Sequence, residues 1–260
     1  MTESESDLLN QGRARGRSFA AETVWHADNL APNLASNENP FREFFNARQA
    51  GRGIWKWDHY FEAYDRHFSK FRGLPIHFIE IGVYSGGSLD MWRDYFGPQA
   101  TIYGVDIEPA CKAYEADGVK IFIGDQADRN FWNDFRQNVP QIHAVVDDGG
   151  HQPEQQMITL EELFLYLQPG GVFMCEDVHG SKHAFTSFVQ GMIDALNDAA
   201  RWTNNLDDNE RRIVCASSPF QAVVNSICCY PYLIALERNS RLVSEFVAPK
   251  KGTVWQPFFR

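Results

Sequence analysis

The sequence predicts an α/β fold: a Rossmann-like, doubly wound, mostly parallel seven-stranded sheet with an antiparallel C-terminal edge and an N-terminal helical arm or lid. Three observations carry this expectation. From Pro75 onward, short apolar runs alternate with amphipathic stretches, the pattern of strands buried on both faces by intervening helices. The runs end in glycine-rich or acidic turns, Gly82–Gly87 and Asp147–Gly150 among them. Two late apolar runs are separated only around Pro231, too short a gap for a helical crossover.

In chain order, residues 1 to about 50 show no sustained period and read as a loosely ordered arm. From Trp57 a helix reads well, with Asp58 as its cap and Phe61, Tyr64, Phe68 and Phe71 on one face, suited to covering an edge of the following domain. Residues 1–74 are thus expected to be an arm and helical cap, and 75–260 the α/β domain. Strands are expected at Ile76–Ile81, Thr101–Asp106, Lys120–Ile123, Ala144–Asp147 and Val172–Cys175. Helices are expected at Ser88–Phe96, Pro109–Ala116, Arg129–Asn138 and Pro153–Leu167, with Pro153 in a first turn and Gly97 and Gly170 at chain reversals. A helix from Ser181 to about Asn197 points Phe185, Phe188, Val189, Met192 and Leu196 inward. Residues 200–218, including Asp207–Glu210, read as a solvated loop, and the tail after Arg238 shows no period. Val223–Tyr230 and Tyr232–Glu237 form an antiparallel pair.

Composition narrows the function. The 260 residues carry 34 acidic and 24 basic side chains, a net charge of −10, which argues against a general duplex nucleic-acid binder. No run reaches the roughly 18 apolar residues of a membrane helix, and the acidic, polar Met1–Asn10 does not read as a secretory leader. Five cysteines without a Cys-x-x-Cys pair point to free thiols and a reducing cytoplasm rather than a disulfide scaffold.

The first strand runs into Glu80-Ile81-Gly82-Val83-Tyr84-Ser85-Gly86-Gly87-Ser88. Such a turn lies where open sheets bind ligands, but Tyr84 takes the place of the middle glycine of a dinucleotide fingerprint, and Glu80 would repel a pyrophosphate. Both objections vanish for S-adenosylmethionine, which has no phosphate, a cationic sulfur and an ammonium that Glu80 could receive. Asp106, 19 positions beyond Gly87, is placed to accept ribose hydroxyls. Asp125 or Gln126, after the third strand, could meet the adenine amine.

The fourth strand ends in Asp147-Asp148-Gly149-Gly150-His151 and the fifth in Glu176-Asp177-Val178-His179. Asp148, Glu176 and Asp177 are hard oxygen donors converging from neighbouring strands, suited to Mg²⁺ or a similar divalent ion. Asp147 reads as structural. His151 is the favoured general base, with His179 and His183 as competitors.

These stretches, together with Met91-Trp92, Gly104-Val105-Asp106-Ile107 and Gly124-Asp125-Gln126, resemble the macrocin and mycinamicin sugar O-methyltransferases, metal-dependent class I S-adenosylmethionine enzymes of antibiotic biosynthesis. The resemblance spans about Phe78 to His179. It implies metal ligation by Asp148, Glu176 and Asp177 and His151 as base. It also implies a cofactor site at Glu80, Gly82, Tyr84, Ser88, Asp106, Asp125 and Gln126, a glycosylated small-molecule acceptor, and a homo-oligomer. Gly150 stands where the family has Ser, and residues 1–75 do not match the large extra domain of some members. Trp55-Lys56-Trp57 falls where relatives carry a segment closing over the nucleotide. A catechol-type O-methyltransferase and a non-catalytic S-adenosylmethionine-binding protein are the alternatives. The two-His-one-carboxylate iron reading suggested by relatives labelled cephalosporin hydroxylases leaves Glu176 and Asp177 without a role.

Overall fold

The computed structural model describes residues 3–23, 39–179, 183–198, 212–249 and 251–254. The chain divides into two compact units, Met1–Asn37 and Glu38–Arg260. The first contains helix α1 (Glu3–Glu22), where a loosely ordered arm was expected. Its sequence has no proline but includes Gly12 and Gly16, and it lacks the strong apolar stripe that periodicity detects.

The second unit begins with α2 (Pro40–Ala47) and α3 (Tyr60–Phe68), followed by β1 (His77–Ile81), α4 (Gly87–Phe96), β2 (Thr101–Asp106) and β3 (Val119–Ile123). It continues through α5 (Arg129–Asn138), β4 (Ile142–Asp147), α6 (Pro153–Leu163), β5 (Leu167–Cys175) and α7 (Ala184–Leu196). The last elements are β6 (Arg212–Ala216), α8 (Pro219–Val223), β7 (Val224–Tyr230), β8 (Leu233–Arg238) and β9 (Glu245–Pro249). Seven strands form one sheet in the order β3-β2-β1-β4-β5-β8-β7. Its first five are parallel, and β8 and β7 add antiparallel. The expected architecture is therefore present. The order reverses direction between β1 and β4, which opens a crevice at their carboxyl ends.

Alternate residues of each strand feed two cores. Phe78, Ile102, Val146 and Met174 face α2, α3 and α4, whereas Ile79, Val105, Val145 and Phe173 face α5, α6 and α7. Residues 39–74 thus cover a face of the sheet, not an edge, and share its core. Phe41 of α2 is fully buried, stacked on Tyr95 with centroids 3.8 Å apart and edge-on to Tyr64 and Trp92. Burying such a ring is worth roughly 1.5–3 kcal/mol.

Several local expectations are corrected. Asp58 does not cap α3; His59 holds that position without a side-chain bond, and Asp58 pairs with Arg42. Pro109–Tyr114 is a 3₁₀ helix, not an α-helix. The helix after Pro153 stops at Leu163 because the chain must reach β5 at Leu167, and Gly170 lies inside that strand with φ 79°. The supposed loop and tail contain β6 and β9, which pair as a separate two-stranded ribbon. Asp207–Glu210 lies outside the described residues.

α3 is fastened to the β8–β7 edge through buried His67, whose Nδ1 lies 2.8 Å from Glu237 Oε1 and whose Nε2 lies 3.0 Å from the Tyr230 hydroxyl. The hydrogen bond from His67, helped by Lys70 and opposed by partial burial, holds the Glu237 carboxyl below its ordinary range. A depressed carboxyl stabilises the fold fully above its unfolded pKa, and that contribution fades as pH falls through the folded value. Glu237→Gln is expected to lower the unfolding free energy by about 1 kcal/mol near neutrality, with the gap closing below about pH 4. Urea denaturation across a pH series measures this; a gap that persists undiminished at pH 3 contradicts it.

Candidate functional site

A cavity of about 810 Å³ opens over the carboxyl ends of β1, β2, β4 and β5, within the range of a small-ligand pocket. Its floor is the turn after β1. Gly82 has φ 87°, and a side chain there would run into the Asp148 carbonyl, so glycine lets the β1 and β4 turns touch. The Val83 and Tyr84 amides donate to Asp106 Oδ2 at 2.8 and 3.0 Å, and the Glu108 amide donates to Oδ1 at 2.9 Å. Asp106 therefore braces two turns while lining the cavity. The Tyr84 side chain is largely exposed at the cavity wall.

Three of the expected cofactor residues, Glu80, Ser88 and Gln126, also bond within the protein. Glu80 is fully buried: Oε2 accepts from Ser88 Oγ at 2.7 Å, and Oε1 makes no hydrogen bond. Gln126 is also buried; its amide donates to Asp147 Oδ1 and to Thr159 Oγ1 at 3.0 and 3.1 Å, while its carbonyl oxygen accepts from the Gly150 amide at 2.8 Å. Burial pushes the Asp147 carboxyl up to about 7, against the bonds from Gln126 and Gly149 that hold it down. Asp147 is thus structural, as its place in the strand implied. Asp125 is exposed, its Oδ1 accepting from the Ala127 amide at 2.8 Å.

The acids at the ends of β4 and β5 part into two sets. Asp148, His151 and Asp177 each offer a ligand atom within 4.8 Å of the others. Glu176 turns inward, almost fully buried, and is bonded by the Tyr64 hydroxyl and by Lys56. The Lys56 ammonium sits among three carboxylates, 2.6 Å from Asp148 Oδ2, 3.1 Å from both Glu176 oxygens and 3.6 Å from Glu80 Oε1. Burial lowers its pKa, but Asp148, Glu176 and Glu80 overcome that and leave it raised, hence charged. Asp177 Oδ1 accepts from Trp57 Nε1 and the Tyr60 hydroxyl, both at 2.9 Å. Sequence reasoning treated Trp55-Lys56-Trp57 as a lid and missed this pairing. The available signal was a lone lysine preceding a helix whose core face carries tyrosine hydroxyls that need partners.

His151 has φ 54°, its Nε2 3.7 Å from Asp177 Oδ2 and its buried Nδ1 without a partner. His179 Nε2 lies 3.8 Å from Asp177 Oδ1, and His183 Nε2 lies 3.4 Å from the His151 carbonyl. Tyr84, His151, Asp177 and Tyr232 are the non-glycine residues with positive φ among the described residues. The first three line the cavity. Such conformations cost on the order of 1–3 kcal/mol each and cluster at functional sites.

The two carboxylates suit a small hard dication: Asp148 and Asp177 converge on one side of the cavity beside the His151 imidazole, leaving room for water or ligand oxygens. Glu176 fits less well, because Lys56 and Tyr64 hold its oxygens.

No protein-family profile matches the chain. Among curated proteins it is 27% identical to the 8-demethyl-8-α-L-rhamnosyl tetracenomycin-C 2′-O-methyltransferase of Streptomyces olivaceus, over 88% of this chain and 68% of that one. It is 34% identical to the demethylmacrocin O-methyltransferase of Streptomyces fradiae, over 47% of this chain and 33% of that one. Among solved structures it resembles the MycE methyltransferase of the mycinamycin pathway in complex with Mg, SAH and mycinamycin VI, with a TM-score of 0.60 and 21% identity. That match covers 77% of this chain and 53% of MycE, so the chain spans about half of that structure and a third of the demethylmacrocin enzyme. Its curated relatives are sugar O-methyltransferases, and it shares the MycE fold.

Gln126 is the joint between the third and fourth strand turns. Gln126→Ala leaves the Asp147 carboxylate and the Gly150 amide without their partner, and is expected to cost about 1–3 kcal/mol. Chemical denaturation would show it; a loss below about 0.5 kcal/mol, the scale of an ordinary surface change, would mean the joint carries no weight.

Proposed function

We propose that this chain is a metal-dependent O-methyltransferase carrying a methyl group from S-adenosylmethionine to a hydroxyl on the sugar of a natural product, the tailoring step named for its relatives. The observation that carries the reading is the convergence of Asp148, His151 and Asp177 in a cavity that the glycine turn and Asp106 also line. Exposed Trp55 and Ile107, with Tyr84, add apolar surface to the same cavity. That suits a glycoside whose aglycone is apolar.

Asp148 and Asp177 would hold a divalent ion such as Mg²⁺, with Glu176 as a further ligand. When bound, the ion supplies positive charge that makes an alcohol more acidic. Asp106 faces the ribose hydroxyls of S-adenosylmethionine, and Asp125 is free to meet its adenine. His151 Nε2 accepts the acceptor's hydroxyl proton, and Asp177 beside it steadies the resulting imidazolium. The oxygen attacks the methyl carbon in line as the carbon–sulfur bond breaks, leaving S-adenosylhomocysteine, the methyl ether and a proton on His151. The free thiols of all five cysteines support a cytoplasmic setting, and no helix among the described residues is long and apolar enough to cross a membrane. A homo-oligomer is the assembly the resemblance implies, and light scattering tests it.

The decisive assay incubates the protein with methyl-labelled S-adenosylmethionine and a panel of rhamnosides, other glycosides and catechols, with Mg²⁺ or with chelator. Label is expected on a glycoside hydroxyl, with Mg²⁺ only. Turnover insensitive to chelator would end the metal-assisted reading, and binding of S-adenosylmethionine without turnover would favour the non-catalytic alternative. His151→Ala is expected to slow transfer by roughly 10²–10⁴-fold. An unchanged rate on a catechol would move the assignment to the catechol-type class, where a phenol needs little help from a base.

A further inference from the structure

We propose that Lys56 is a resident counter-cation of the acidic cluster, and that its ammonium competes with the divalent ion for Asp148 and Glu176. The idea rests on the metal-assisted reading above and names the residue that sets metal affinity.

The geometry behind it is one of charge bookkeeping. Lys56 Nζ contacts Asp148 and Glu176 within hydrogen-bonding distance and lies 3.6 Å from Glu80. The ammonium is almost fully buried, as are Glu80 and Glu176. A bare carboxylate cluster there would be prohibitively costly, and the lysine supplies the missing charge. A small dication seeking the oxygens of Asp148 and Glu176 needs the lone pairs that the ammonium already occupies. The two cations cannot share them, because like charges at contact distance repel strongly in a dry site.

The segment that delivers Lys56 is anchored on both sides. Upstream, Arg48 and Arg52 both pair with Asp90 of α4, and the Gly87 amide donates to the Gly53 carbonyl at 3.2 Å. Downstream, Trp57 and Tyr60 bond Asp177, and His59 Nε2 lies 2.9 Å from the Pro231 carbonyl. The same segment therefore meets every acid expected to ligate the ion: Lys56 takes Asp148 and Glu176, and Trp57 takes Asp177. Metal entry then requires the ammonium to withdraw, and the strength of the anchors sets how readily it does so.

The test titrates magnesium chloride into wild type, Lys56→Met and Asp90→Asn by calorimetry at constant ionic strength. Removing one full charge in contact with three oxygens of Asp148 and Glu176 is expected to tighten magnesium binding by about tenfold or more in Lys56→Met. Loosening the anchor in Asp90→Asn is expected to tighten it by about threefold, since the surface-type pairs it breaks are individually modest. Asp90→Asn decides the matter if Lys56→Met does not fold in any condition, and a Lys56→Met that folds only with magnesium present supports the proposal directly. Binding no tighter in Lys56→Met than in wild type overturns it, as does an unfolded Lys56→Met alongside an unchanged Asp90→Asn. S-adenosylmethionine titrated into the same samples reports separately on the methyltransferase reading. Absence of cofactor binding throughout would remove that reading while leaving the magnesium comparison intact.

Discussion

The arrangement of the active face follows from one constraint: carboxylates placed in the interior at the ends of β1, β4 and β5 need positive charge or hydrogen-bond donors close by. Burial pushes the Glu176 and Glu80 carboxyls upward, with Asp148 adding to both and Lys56 opposing. Apart from Ser88, which donates to Glu80, the positive charge and donors come from residues 56–64: Lys56 beside three acids, Tyr64 for Glu176, and Trp57 and Tyr60 for Asp177. This demand explains why α2 and α3 are packed on the sheet and not hung beside it. Their aromatic face fills the core with Phe41, Phe61 and Phe68 while the polar tips of Tyr60 and Tyr64 reach the acids. One helix thus serves both packing and electrostatics, with each tyrosine ring in the core and its hydroxyl satisfied.

Much of this was legible in the chain. The central parallel strands announced themselves as apolar runs because both their faces are buried, and Thr101–Asp106 and Arg129–Asn138 stand where periodicity put them. The acidic turns were legible because a strand end in an open α/β sheet has a known place relative to the crevice. What stayed hidden is of two kinds. β9 is exposed along its length, so no alternation marks it, and α1 lacks a strong apolar stripe. The contacts of Lys56 join residues 92 and 120 positions apart, and no local pattern encodes a pairing of that range. Glu80 shows a related limit: a turn motif identifies the loop but not that this side chain turns to Ser88 and Lys56.

The backbone strain has a shared location. Tyr84, His151 and Asp177 adopt left-handed conformations at the ends of three strands, and Tyr232 does so in the turn beside them. Two of them are held by neighbours that would lose a partner if the residue relaxed. The Tyr84 amide is tied to Asp106, and Asp177 is tied to Trp57 and Tyr60. Side chains are thereby aimed into the cleft at conformational cost, and the surrounding core supplies the stability that makes this tolerable.

Gly87 carries a separate lesson. It belongs to the glycine run that reads as a cofactor loop, yet a side chain built on it would strike the carbonyls of Arg52 and Gly53. The residue is small on behalf of the overlying chain, whatever the ligand beneath requires. In a homologous chain, a bulky substituent at this position would force the overlying peptide to ride higher. The size of that single residue is therefore a marker, readable without coordinates, for whether a relative can seat an ammonium-bearing segment this close to its sheet.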